Sequence, residues 1–142
     1  MSVYLQRFAH AFAELDASRL AELDELYSAD IQFQDPLHRI EGLPALRTYF
    51  AQLYANASNL RYDFHAFDEV GPGEGYLRWT LHFSHPRLAR GAPIALQGCS
   101  YLRWNDRIRI YLHQDFFDAG ALLYEHLPLF GSVIRWLKRR LA

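Results

Sequence analysis

Apolar residues at positions 4, 5, 8, 9, 12 and 15 recur at helical spacing between Val3 and Leu15, which predicts a first amphipathic helix. A second helix is predicted from Ser18, as its N-cap, through Leu20, Leu23, Leu26 and Tyr27. The period then drops to two: Ile31, Phe33 and Asp35 alternate with Gln32 and Gln34, a short strand stopped by Pro36. Pro44 suits the first turn of a third helix carrying Leu46, Phe50 and Leu53. Alternation returns in "LRYDFHAF", where Leu60, Tyr62, Phe64 and Ala66 oppose Arg61, Asp63 and His65, and "GPGEG" at 71–75 turns the chain into the next strand. There Leu77, Trp79, Leu81 and Phe83 share one face, against Arg78, Thr80 and His82. "PIALQGCSYLRW" and "RIRIYLHQDFF" pair as a hairpin across Asn105 and Asp106. From Ala119 the apolar points Leu122, Leu123, Leu127, Leu129, Ile134 and Leu137, interrupted by Pro128 and Gly131, predict a broken terminal helix packing on the body.

The order of helix, helix, short strand, helix, four strands and helix describes an α+β fold. Its N-terminal helices are wrapped by a cone-shaped, curved, mostly antiparallel sheet, and a C-terminal helix follows. The mouth of such a cone is a natural pocket. With 142 residues, no repeat and no linker, residues 1–142 are expected to form one domain. Ten Phe, nine Tyr and three Trp exceed what a minimal core of this size needs, and the surplus suits a cavity wall or an interface.

A net charge of -1 supplies no basic field for nucleic acid, and the basic run "RWLKRR" at 135–140 reads as a solvated helix face. Cys99 stands alone, so no intramolecular disulfide is possible, which fits the cytoplasm. The N-terminus lacks a signal-peptide pattern, and no run reaches the roughly 18 apolar residues of a membrane span. Neither a membrane nor a nucleic acid is expected as a partner.

In "YLHQDFFD", strand alternation sets Tyr111, His113, Asp115 and Phe117 on one face. If that face is concave, an imidazole and a carboxylate stand in an aromatic wall and can do acid/base work. If it is convex, the pair is a plain surface hydrogen bond. Asp35 before Pro36 has a similar choice, since Asp-Pro is common turn chemistry that satisfies nearby backbone N–H groups. His38 reads as a loop residue, and His82 and His85 belong to the outward face or the loop. A mixed divalent-cation site at 35, 38, 113 and 115 is conceivable, but no recognised metal spacing supports it and no metal is expected. Phosphate loops and a nucleophile elbow are absent.

The run "LDELYSADIQFQDPLHRIEGLPALRTYF", together with "GCSYLRWNDRIRIYLHQDFF", resembles the nuclear transport factor 2-like superfamily. Its members include ketosteroid isomerase, limonene epoxide hydrolase and the SnoaL-like polyketide cyclases. The resemblance puts Asp35 on the general base of ketosteroid isomerase, whose partners are an oxyanion-hole tyrosine and a protonated aspartate. Here those places hold Ala11 and Ser100. Asp115 falls where SnoaL-like cyclases carry their acid/base aspartate, with His113 two residues before it. The epoxide hydrolase's Asp-Arg-Asp set is not evident, since Arg78 turns away from Trp79's face.

Two functions follow as expectations. One is a cofactor-independent isomerase, cyclase or hydrolase acting on a small hydrophobic carbonyl compound, with Asp35, His113 and Asp115 as catalytic residues. His38, Trp79, Phe83, Ser100, Tyr111 and Phe117 would then hold the substrate. The other is a non-catalytic module for apolar-ligand binding or dimerisation. The resemblance implies a homodimer, with Tyr101 and Arg103 on the face suited to a subunit contact.

Overall fold

The computed structural model describes residues 2–120 and 130–142. In chain order the elements are α1 (Val3–Ala13), a 3-10 turn (Leu20–Glu22), α2 (Leu23–Leu26), β1 (Tyr27–Gln34), β2 (Arg39–Glu41) and α3 (Leu43–Asn56), followed by β3 (Ser58–Gly71), β4 (Glu74–Ser84), a second 3-10 turn (Ala89–Gly91), β5 (Ile94–Trp104), β6 (Ile110–Phe117) and α4 (Phe130–Leu141).

The α1 helix opens on Ser2, whose Oγ accepts the Leu5 N–H at 3.2 Å, and it buries Leu5, Phe8, Ala9 and Phe12 as the periodicity predicts. The second predicted helix is shorter and starts later. Asp16 Oδ1, 2.8 Å from the Ser18 N–H, closes a local turn, and Tyr27 is already extended because it pairs with Ile110 of β6. Tertiary pairing here overrides local helical spacing.

β1 ends at the Asp35-Pro36 turn and is met by β2, a three-residue strand too short to carry a periodic signal. Gly42 then turns the chain into α3 with φ at +90°, a conformation that a side chain would strain. Pro44 sits in the first turn of α3, and Leu43, Leu46 and Phe50 face the core.

The six strands form one curved, unclosed sheet in the order β2-β1-β6-β5-β4-β3. β1 and β6 run parallel and every other neighbouring pair is antiparallel, so the sheet is mixed. Inward positions on β4 are Leu77, Trp79 and Phe83, and on β5 they are Leu96, Ser100 and Leu102, each as alternation requires.

The ladders carry several register shifts, and two of them decide where side chains near the core point. On β3 the register slips between Phe64 and Ala66, so His65 points outward to the Thr80 hydroxyl at 2.7 Å and Phe67 takes the core position opposite Leu77. On β6 Leu112 pairs with Arg103 but Ile110 pairs with Trp104, leaving Tyr111 as the extra residue. Ile110 and His113 both face inward, while Tyr111 swings to the outer face, where the Arg103 guanidinium lies 5.8 Å from its ring centre. The expectation that Tyr111 shares the face of His113 and Asp115 is therefore corrected by one inserted residue.

α1 and α3 cover the concave face. Phe12 packs edge-on to Phe50 at 5.8 Å and to Tyr62 at 5.2 Å, joining both helices to β3. A smaller cluster of Phe83, Leu88, Ile94 and Leu96 closes the far end of β4 and β5. α4 holds to the end of β6 through Lys138 Nζ and Asp118 at 2.8 Å, with Ile134 against Gly120. Of the apolar points expected on it, Ile134 is half-buried and Leu137 is exposed, as are Val133 and Trp136, while Leu122, Leu123, Leu127, Pro128 and Leu129 lie outside the described residues. No helix among the described residues is long and apolar enough to cross a membrane.

Two outcomes follow from this packing. Gly98 lies opposite Trp79, and a Cβ there would run into the indole ring. Gly98→Ala should lose about 1–3 kcal/mol of stability in urea unfolding, the usual cost of overpacking, whereas an unchanged midpoint would place the indole elsewhere. Second, burial pushes the phenols of Tyr4 and Tyr54 up to about 12. In the unfolded chain phenols ionise near 10, so the folded state keeps protons that the unfolded state has lost. Their contribution is complete below about pH 10 and falls away as pH rises toward about 12, and Tyr54→Phe should flatten that decline in the urea midpoint.

Candidate functional site

The parallel β1/β6 pairing sets Phe33 beside His113. Asp35 and Asp115 each come two residues later, so they reach the same end of the sheet on the same face. Between that face, α1 and α3 lies a cavity of about 510 Å³, and both carboxylates are among its lining residues. Its walls are mostly aromatic and aliphatic, with Phe12, Phe33, Phe50, Trp79, Phe83 and Phe117 contributing.

Asp35 serves the turn and the cavity together. Its Oδ1 accepts the N–H groups of Leu37 at 2.8 Å and His38 at 2.7 Å, which shapes the turn after Pro36. Its Oδ2 accepts the Tyr49 hydroxyl at 3.0 Å, and His38 Nδ1 lies 3.1 and 3.2 Å from the two oxygens. The Asp35 side chain is 4% exposed, while that of His38, on the cavity rim, is 48% exposed. Burial, and then the Asp35 carboxylate, push the Tyr49 phenol well above its ordinary value, so it remains a donor.

Asp115 is held from behind by a chain of hydrogen bonds. Burial raises the Tyr27 phenol well above its ordinary value, so it keeps its proton, and its hydroxyl is hydrogen-bonded to His113 Nδ1 at 2.8 Å. An ionised carboxylate only accepts, so His113 Nε2 carries the N–H of the 2.7 Å bond to Asp115 Oδ1. Ser100 Oγ donates to the same oxygen at 2.5 Å and itself accepts the Trp79 indole N–H at 2.8 Å. Both bonds to Asp115 therefore fall on Oδ1. Oδ2 has no partner among the described residues and is the oxygen left to meet an occupant of the cavity.

Of the nine residues expected at the site, Asp35, Asp115, His38, Trp79, Phe83 and Phe117 line the cavity. His113 and Ser100 stand behind Asp115 and orient it rather than facing the main space. Tyr111 is on the other side of the sheet. Arg78 is exposed on the outer face, as alternation predicts. No group of three or more metal-ligating side chains gathers among the described residues, so positions 35, 38, 113 and 115 do not form a cation site there.

Sequence reasoning passed over Tyr49, Tyr62, His85 and Arg87, which also line the cavity. Tyr62 had a usable signal, since strand parity already placed it beside Leu60 and Phe64. Its phenol is pushed well above the ordinary value, first by burial and then by the Asp115 carboxylate, and its hydroxyl has no hydrogen-bond partner among the described residues. A protonated, unpaired phenol in an apolar wall is a hydrogen-bond donor awaiting an acceptor. His85 and Arg87 come from the β4–β5 loop, whose backward fold no periodicity reports.

A family model described as the SnoaL-like domain matches residues 5–113. A protein with a ketosteroid isomerase-like fold from Catenulispora acidiphila, solved with trimethylamine, superposes with a TM-score of 0.72 at 16% identity, covering 87% of this chain and 91% of that one. A proposed SnoaL-like polyketide cyclase from Shewanella denitrificans gives 0.71 at 16% identity over 85% of this chain and 95% of its own. An LEH-like epoxide hydrolase from M. tuberculosis gives 0.69 at 16% identity over 94% and 96%. No curated protein matches the sequence. At such identities the structural likenesses establish the fold, whose members include cyclases, isomerases and epoxide hydrolases. The family match spans most of the chain, and the protein belongs to the SnoaL-like domain family.

Proposed function

We propose that the protein is a cofactor-independent acid/base enzyme that removes a proton next to the carbonyl of a small hydrophobic compound. The observation that carries this reading is the Asp115 carboxylate, tied twice through Oδ1 and lining an apolar cavity that also holds the unpaired Tyr62 hydroxyl.

Asp115 Oδ2 takes the carbon-bound proton. The C–H electron pair moves into a new C=C bond, and the carbonyl oxygen gains the negative charge. Tyr62 donates its O–H hydrogen bond to that oxygen. The donor thus comes from β3, which fills the role left vacant by Ala11 and Ser100 in the isomerase pattern. His113 and Ser100 hold the carboxylate plane and keep it from rotating as the proton arrives. The enolate then regains a proton at another carbon, as in an isomerase, or attacks a second carbonyl, as in a cyclase. Asp35 and Tyr49 form a fixed polar wall beside it.

A binding module without chemistry is favoured by one feature, the set of turn bonds that accounts for Asp35 without any substrate. Deuterium exchange separates the two readings. In D2O a panel of hydrophobic ketones and β-keto esters should show enzyme-dependent exchange of the α-hydrogens by NMR. Asp115→Asn should abolish that exchange while leaving the unfolding midpoint nearly unchanged, and Tyr62→Phe should slow it about a hundredfold, the usual loss for one oxyanion donor. Ligands that bind without exchange would give the site to the binding module. Asp35→Ala should instead lower stability by about 1–3 kcal/mol in urea unfolding, because two backbone N–H groups and the Tyr49 hydroxyl lose their acceptor.

A further inference from the structure

The cavity is electrically lopsided. Asp35 and Asp115 stand at one end, and among the described residues Arg87 is the one Lys or Arg side chain that lines it. The Arg87 side chain is exposed and has no ion-pair partner among the described residues, whereas the Asp35 and Asp115 carboxylates are already engaged by hydrogen bonds. Beside it His85 Nδ1 accepts the Arg87 backbone N–H at 3.0 Å. With Nδ1 committed as acceptor, the neutral ring carries its proton on Nε2, a second donor at this end.

The register separates the two ends. Asp115 pairs across to Ser100, which pairs with Leu77, and Phe83 lies six residues further along β4 just before the loop that carries His85 and Arg87. Six residues of strand span at most about 20 Å, less across the curved sheet. An occupant that meets both ends is therefore elongated, on the scale of two or more fused rings. Charge alone sets its direction, because an anionic group is repelled by the two carboxylates and attracted to the guanidinium.

We propose that Arg87, with His85, is the anion-reading end of the cavity, and that the compound taken there is an elongated apolar molecule carrying a carboxylate at the end opposite its reacting carbonyl. This rests on the cavity being a ligand site, as proposed above. Arg87 positions the ligand and takes no part in proton transfer.

Two fluorescent dyes of nearly the same shape test it: anilinonaphthalene sulfonate, which is anionic, and phenylnaphthylamine, which lacks the sulfonate. Each is titrated against the full chain, against Arg87→Gln and Arg87→Lys, and against Leu96→Trp, which fills the cavity, or Phe83→Trp if that chain does not fold. The expected result is loss of both dyes in the filled variant. Arg87→Gln should weaken the sulfonate dye by about fivefold, the size of one ion pair at a solvent-open site, with the neutral dye unchanged and Arg87→Lys keeping most of the affinity. If the filled variant loses both dyes but Arg87→Gln binds the sulfonate as the parent does, the assignment to Arg87 is overturned and the cavity reading stands. If the filled variant binds both dyes undiminished, the cavity reading falls and Arg87 with it.

Discussion

The structure depends on the parallel pairing of β1 with β6. A strand from the N-terminal third of the chain and one that follows residue 109 lie side by side with Phe33 next to His113, and that register delivers Asp35 and Asp115 to one end of one face. A slip of a single residue would send one carboxylate to the opposite face of the sheet. The register is held where slippage would be costly. His113 is fixed by the Tyr27 hydroxyl on one side and by Asp115 on the other, inside a shell that includes Phe8 and Phe33.

The same pairing explains the aromatic surplus. A curved sheet that does not close leaves space between its concave face and the helices, and much of that space here is walled by rings instead of being filled by them. Asp35 shows how turn and site can be one feature. One oxygen shapes the loop after Pro36, and the other receives Tyr49 from α3, so the carboxylate ties β1, its turn and the helix to the cavity wall.

The helices and long strands were legible in the sequence because each carries several turns or alternations of apolar spacing. The inward faces of β4 and β5 followed from parity alone, including Trp79, Phe83 and Ser100. The failures have separate physical causes. Tyr111 left its expected face because a bulge inserts one residue, and no pattern in "RIRIYLHQ" marks where a ladder will slip. Residues 23–27 hold leucines at helical spacing, yet Tyr27 is drawn into the sheet by a partner more than eighty positions away. His85 and Arg87 belong to a loop whose path depends on the packing of Leu88 rather than on any repeat. Tyr62 was visible as an inward strand residue, but its unpaired hydroxyl became evident only when its neighbours in space were known.

In the proposed mechanism Asp115 and Tyr62 act on one bound carbonyl. A crystal structure of the protein with naphthol, a flat mimic of an enolate, tests it most directly. The rings should lie between the aromatic walls, with the naphthol oxygen within hydrogen-bond distance of Tyr62 Oη and the adjacent ring carbon facing Asp115 Oδ2. A naphthol seated with its oxygen turned away from both residues, or lying on the outer face of the sheet, would contradict it.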